Sequence, residues 1–316
     1  MTWTQRVLSI LESDKKATFN TLYKLCPGIK RKYLSNLLYR LQNRQIIKKE
    51  GDFFLLVAPY DSHFPGVQLP IIRHRVTDYS FTGEVIKFGV VSDSHLGSVY
   101  DNVPLLKAAY DVFDREGITK VFHAGDICDG EHMRQGHEYE LRVVGFDKQC
   151  EYVVNEYPHR EGIETIFLCG NHDMSFWKYS GVDIGVHIAR QRPDLKYIGT
   201  LEADITLTTT TGSTTVRLWH PLLGSAYAIS YHPQRYIESL SGGSKPGILI
   251  IGNFHKAEWL FYRNIHTLQP GCLQFQTRWM KGKRISAHLG FSIVEAHLCD
   301  KGVARLKFEF FPDYDS

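Results

Sequence analysis

Ile163-Glu164-Thr165-Ile166-Phe167-Leu168-Cys169-Gly170-Asn171-His172-Asp173 is the stretch on which the fold turns. A β-branched, apolar run that stops abruptly in small and polar residues reads as a buried strand of an α/β sheet. Ligands in such folds gather at the carboxyl ends of strands. Taken alone, Gly-Asn-His-Asp suits a turn equally well. Four other runs end in the same manner. Asp93-Ser94-His95 follows the run 85–91, and Gly125-Asp126-Ile127-Cys128-Asp129 follows 120–123. Trp219-His220 follows 214–218, and Gly252-Asn253-Phe254-His255 follows 247–251. Five apolar runs, each closed by metal-binding side chains, are more than turn chemistry requires.

Outward from that stretch the pattern alternates. Strands 85–91, 120–124 and 163–169 precede helices near 104–115, 139–156 and 182–191. Past residue 196 strands crowd together at 197–198, 204–208 and 214–218. A helix over 227–240 intervenes before strand 247–251, and hairpin-like runs 259–268, 290–296 and 304–310 finish the chain. Alternation first and mostly strands later predicts an α/β fold of two packed sheets flanked by helices. Residues 278–284, with Arg278, Trp279 and four further residues including three cations, read as a basic loop that suits a nucleic-acid backbone or plain solvent.

The front of the chain reads differently. Residues 1–57 predict a small N-terminal winged-helix domain, 58–83 a Pro-containing linker, and 84–316 the main domain. Thr18 suits the N-cap of a second helix that Pro27-Gly28 ends. A third, near 30–42, carries Leu34, Leu37, Leu38 and Leu41 at the 3.6-residue period. Its opposite face offers Arg31, Lys32, Ser35, Asn36, Tyr39 and Arg40, suited to phosphates and base edges. Strands 46–49 and 53–57 across Glu50-Gly51-Asp52 predict a wing. A basic three-helix domain whose charged face is merely solvated, or binds protein, has the same pattern.

Charge sharpens the contrast. Residues 1–60 hold 11 Lys+Arg against 4 Asp+Glu, while the remainder holds 26 against 30. A basic front on an acidic body points to a polyanion such as DNA as partner. Apolar stretches fall far short of the ~20 residues of a membrane helix, so no membrane partner is expected. The first residues lack the apolar core of a signal peptide. Six cysteines (26, 128, 150, 169, 272 and 299) show no CxxC spacing. Reduced thiols and a cytoplasmic setting follow.

The five strand-end motifs resemble the calcineurin-like metallophosphoesterase superfamily, in order and over about residues 85–310. Four of the five match its pattern of Asp-x-His, Gly-Asp-x-x-Asp, Gly-Asn-His-Asp/Glu, a later His and Gly-His-x-His. The resemblance implies a four-layer α/β/β/α sandwich holding two divalent metal ions. Asp93, His95 and His255 would bind one, Asn171 and His220 the other, with Asp126 bridging. Carboxylates, imidazoles and an amide suit Mn, Fe or Zn rather than Ca, with Mn favoured. A metal-bridging hydroxide would attack phosphorus, and His172 would assist the leaving group. Asp129 would accept a hydrogen bond from His172 and orient its ring. Asn253 stands where the family has a histidine ligand, which predicts a looser second metal.

Other residues carry weaker expectations. His132 and His137, in the loop after Asp129, are candidates for substrate contact, as is Asn171. His123 reads as a core residue and Asp173 as a residue that holds its loop together. Overall the chain is similar to phage and prokaryotic members described as DNA repair exonucleases. That favours a DNA-directed nuclease or phosphodiesterase. A phosphatase or small-nucleotide phosphodiesterase with a regulatory winged helix, and a catalytically weak DNA-binding accessory protein, stay open. No protein partner is predicted.

Overall fold

The computed structural model describes residues 3–14, 16–43, 47–56 and 77–314 of the chain. Two compact units divide at Leu69/Pro70. The first runs α1 (Trp3–Asp14), β1 (Lys16–Thr18), α2 (Phe19–Leu25), α3 (Arg31–Asn43), β2 (Ile47–Glu50) and β3 (Phe53–Leu56). Thr18 caps α2, its hydroxyl accepting from Thr21 N at 3.2 Å. Leu34, Leu37, Leu38 and Leu41 of α3 are buried with Val7, Leu22, Ile47 and Phe54 in one core. The other face of α3 exposes Lys32, Ser35 and Tyr39. Arg31 lies over the Phe19 and Tyr23 rings, 5.5 and 6.0 Å from their centroids. The side chain of Arg40 lies outside the described residues. The β2–β3 hairpin has the expected place, and β1 adds a third strand beside β3 that sequence reading had not anticipated.

The second unit holds β4 (Thr77–Ser80), β5 (Val85–Val91), α4 (Val103–Arg115), β6 (Lys120–His123), α5 (Phe146–Glu156) and β7 (Glu164–Cys169). It continues with α6 (Ser175–Ser180), α7 (Ile184–Gln191), β8 (Leu195–Thr200), β9 (Glu202–Thr208), β10 (Ser213–Trp219) and α8 (Tyr231–Ser239). It ends with β11 (Ile248–Ile251), β12 (Ala257–Tyr262), β13 (Ile265–Pro270), α9 (Arg278–Lys283), β14 (Gly290–Cys299) and β15 (Gly302–Pro312). Two six-stranded mixed sheets result, ordered β12-β13-β11-β10-β9-β4 and β15-β14-β5-β6-β7-β8.

Strand alternation builds the four layers. Ile86, Phe88 and Val90 of β5 meet Ile248 and Ile250 of β11 and Leu218 of β10 in the core between the sheets. Val91, Val121 and Phe167 point the other way, into a core with Leu106, Tyr110 and Phe113 of α4 and Ile188 of α7. Leu249 and Ile251, one residue out of phase with Ile248 and Ile250, pack with Ile237 of α8. Period-2 burial on both faces is the signature of a sheet covered on each side.

Four expectations need correction. Thr77–Ser80, expected in the linker, pairs parallel with β9, Thr77 opposite Ile205, and so belongs to the main unit; residues 57–76 lie outside the described residues. The helix expected over 139–156 begins only at Phe146. Gly145 sits at φ +100°, and the backbone N–H groups of Arg142 and Val143 donate to Gly97 O instead of a helix. The helix expected from 227 begins at Tyr231. Arg278–Lys283 is a helical turn rather than a loop, because Thr277 Oγ1 accepts from Met280 N at 3.1 Å.

Candidate metal centre

Parallel neighbours β5, β6 and β7 bring three motif loops to one end of their sheet, and parallel β10 and β11 bring two more. Three of these loops, those after β5, β6 and β11, leave their strands by an abrupt turn. Asp93 (φ +52°), His95 (+44°), Asp126 (+54°), Asn253 (+72°) and His255 (+55°) all adopt left-handed backbone. Non-glycine residues are uncommon there, with Asn, Asp and His the best tolerated. A left-handed residue breaks the alternation of a strand and turns successive side chains into one space. Gly170 lets the loops close up: a Cβ on it would strike Asp126 Oδ1 and lie 2.6 Å from His220 Nε2.

The predicted ligands converge. Donor atoms of Asp93, His95 and His255 lie within 4.8 Å of one another, as do those of Asp93, Asp126 and His220. His95 Nε2 faces His255 Nε2 at 3.3 Å and Asp126 Oδ2 at 3.7 Å. His255 Nε2 is 3.6 Å from Asp93 Oδ1. On the other side His220 Nε2 lies 3.1 Å from Asp126 Oδ2 and 3.0 Å from Asn171 Oδ1. Asp126 therefore reaches both groups through one carboxylate oxygen. Asp93 is shared as well, and Ser92 Oγ donates to it at 2.6 Å.

These residues fit a pair of divalent cations. His95 Nδ1 lies 3.0 Å from Asp129 Oδ1, and His220 Nδ1 lies 2.8 Å from Ala124 O. Protons on those two nitrogens leave both Nε2 atoms as lone pairs aimed at the cluster. His255 Nδ1 is buried without a hydrogen-bond partner, while its Nε2 faces another imidazole nitrogen. Such a buried imidazole is costly unless a cation takes its lone pair.

The charges show how tightly these carboxylates and imidazoles are packed against one another. Burial works against ionising Asp126, yet the imidazoles of His220 and His172 hold its carboxyl well below the usual range. Burial, helped by the Asp126 charge, raises Asp93. Burial disfavours a charged His220, but Asp126 and Asp93 push it up to about 9. His255, buried and beside His95, is held neutral, the form that binds metal.

Asp129 has a wider role than orienting His172. Its carboxylate lies 3.0 Å from His95 Nδ1 and 3.3 Å from both His137 Nε2 and Gln274 Nε2. These imidazole hydrogen bonds overcome burial and hold it well below the ordinary carboxylate range. His172 Nδ1 is 2.6 Å from the Asp129 carbonyl oxygen and 3.5 Å from Oδ1, so the main chain is the principal orienter of that ring. Burial would lower His172, but Asp126 and Asp129 push it up to about 9.

The structure buries His137 against Asp129, and it is not among the residues that line the cleft. His132 does not line it either, and stands 62% exposed against Tyr179. Arg31 and Lys32 belong to the first unit. Asn253 lines the cleft, its backbone N–H donating to Asp93 at 2.9 Å and its amide NH₂ to Leu223 O at 2.7 Å. His123 is buried, as read, with Ser94 Oγ at 3.0 Å, and burial lowers it to about 3. Asp173 accepts from Gly170 N and Cys128 N at 2.8 and 2.9 Å, tying two motif loops together. Sequence reading missed Gln274, Arg134 and Met133, which reach the cleft from segments without a metal motif.

The profile of the calcineurin-like phosphoesterase superfamily domain matches residues 86–287. No curated protein matches the chain. Among solved structures, an archaeal phosphodiesterase is 14% identical, covers 72% of this chain and 100% of its own, and superposes with a TM-score of 0.39. A protein of Streptococcus pneumoniae TIGR4, described as a predicted phosphoesterase, is 17% identical over 72% of this chain and 98% of its own, with a TM-score of 0.34. GAP50 of Plasmodium, described as the anchor in the inner membrane complex, is 11% identical over 73% and 85%, with a TM-score of 0.45. With the profile spanning well over half its length and the ligand cluster assembled in order, the chain belongs to the calcineurin-like phosphoesterase superfamily as a metal-dependent phosphoesterase.

Proposed function

We propose that the protein is a two-metal phosphodiesterase directed at DNA. The observation that carries the chemistry is the meeting, in one cleft, of two ligand groups that share Asp126 with His172 beside them. Asp93, His95 and His255 would hold one ion, and Asn171 and His220 the other, with Asp126 common to both. The pair, Mn favoured, would neutralise phosphate charge and activate water. Around it the chain's own groups act on protons. His172, with Nδ1 against the Asp129 carbonyl, is left with Nε2 to protonate the leaving oxygen. Asp126 Oδ1 accepts from His172 N at 2.8 Å and so fixes the same loop from its other side.

Direction to DNA is supported by the first unit. Its helix–strand–helix–helix–hairpin order is that of a winged helix, and α3 presents Lys32, Ser35 and Tyr39 outward. In winged and helix-turn-helix modules the corresponding helix enters the major groove. The free cysteines, five of them buried, support a cytosolic setting. Among the described residues no helix is long and apolar enough to cross a membrane. A small-nucleotide phosphodiesterase is the second reading, favoured by the confined cleft of about 270 Å³.

Labelled single- and double-stranded DNA, a chromogenic diester and a phosphomonoester, each with Mn²⁺, separate the readings. DNA cleavage abolished in His172→Ala is the expected result. Cleavage of small esters alone moves the function to the second reading, and no cleavage of any of them overturns the hydrolase.

A further inference from the structure

One wall of the cleft has no part in holding metal. Met133, Arg134, Trp279, Met280 and Ile285 line the same cleft as the ligand cluster. An anion-binding end facing an apolar and aromatic wall suits a ligand with a charged end and a flat apolar end.

The wall is built, not incidental. Trp279 sits in the turn that Thr277 caps, and Ile285 N donates to Met280 O at 3.0 Å, closing the segment on itself. Arg134 comes from the loop after Asp129, and its guanidinium stands 5.1 Å from the Trp279 ring centroid. That guanidinium is already ion-paired with Glu140, both side chains largely buried. Its charge is therefore balanced within the protein, and what it offers the cleft is a plane rather than a hook for phosphate. Trp279 keeps 43% of its surface exposed, a large ring surface for a ligand to cover. Met133 and Met280 add thioethers that adapt to ring edges.

We propose that Trp279 and Arg134 form a stacking subsite for the base of the single nucleotide whose phosphodiester lies over the ligand cluster. The inference rests on the phosphodiesterase reading and names its substrate class: an unpaired nucleotide, at a strand end or in a small diester. A volume of about 270 Å³ falls just below the roughly 300–1,000 Å³ of drug-sized ligand pockets, a size closer to one nucleotide than to a base-paired step. A base must leave its stack to enter, so single-stranded ends react ahead of duplex. Discrimination among bases is weak, because every base has a face to stack. Gln274 also lines the cleft, but its Nε2 is committed to Asp129 and Ser98.

The test compares thymidine 5′-(4-nitrophenyl phosphate) with methyl 4-nitrophenyl phosphate on the full chain with Mn²⁺. Both release the same nitrophenolate, so the ratio of their kcat/KM values isolates the nucleoside. Wild type prefers the nucleoside ester; Trp279→Ala lowers that ratio about ten-fold or more, and Trp279→Phe restores most of it. A ratio within two-fold of wild type in Trp279→Ala overturns the subsite while leaving the hydrolase standing. Should wild type cleave neither ester, the hydrolase reading fails, and indole fluorescence still decides the subsite. Quenching by thymidine monophosphate that Trp279→Ala abolishes supports it, and quenching equal in both proteins, or in neither, overturns it.

Discussion

The two halves of the metal centre are unequally built. In the first, Asp93 is bonded by Ser92 and by the Asn253 backbone, and His95 is braced by a carboxylate that His137 and Gln274 also hold. In the second, one imidazole braced by a backbone carbonyl meets one amide oxygen, and Asn253 stands where the family resemblance implies a further histidine. Amide oxygens are weaker ligands than imidazole for these metals. The difference teaches that the two ions need not bind with equal strength: the first half is preassembled by many bonds, the second by few.

The sharpest way to break this comparison is to remove what the halves share. Asp126→Asn is expected to lower kcat/KM by more than about 100-fold, beyond the 10–100-fold typical of groups that only support a ligand. Bound Mn²⁺, counted by elemental analysis, drops in both halves; retention of one full equivalent would show that Asp126 serves one side alone. Next comes the brace of the first half. Asp129→Ala frees His95, and is expected to weaken the tighter metal by about 10–100-fold while the looser one changes little. Equal losses in both halves would make Asp129 a general support of the loops.

Asn253→His works in the other direction. It adds an imidazole to the weaker half and is expected to tighten the second metal about ten-fold, about 1.4 kcal/mol. Unchanged Mn²⁺ affinity by titration would mean that Asn253 serves to hold the Leu223 loop and not a metal. The smallest effect lies outside the centre. Lys32→Glu should weaken DNA binding a few-fold and reduce the steepness of its salt dependence by about one unit. Hydrolysis of a small diester should be unaffected; a matching loss there would detach α3 from DNA.

Much of this centre was legible because strands and motifs are local. Apolar runs of four to seven residues ending in Asp, Asn or His mark Asp93, Asp126, Asn171, His220 and His255 as strand-end donors in the sequence itself. What was illegible depended on contacts between distant segments. His132 and His137 lie five residues apart in one polar loop, and sequence offers nothing to separate them. In the fold the left-handed Gly136 starts a 3₁₀ turn that buries His137 on Asp129, while His132 faces outward. Thr77–Ser80 is four residues long with a half-exposed pattern, and only β9 makes it a strand. Trp279 read as part of a basic loop because its cap, Thr277, is a single residue just ahead of it.

The left-handed backbone at four ligand-bearing positions, Asp93, His95, Asp126 and His255, couples two kinds of evolutionary constraint. Aspartate, asparagine and histidine are both the metal donors and the side chains that tolerate that conformation best. A drift from aspartate to glutamate, or from histidine to glutamine, would preserve a donor atom yet fall on main-chain geometry that costs roughly 1–3 kcal/mol at each such position. The palette open to these loops is therefore narrower than coordination chemistry alone allows, and new metal preferences would arise more readily at Asn171 and His220, which are free of that geometric tax.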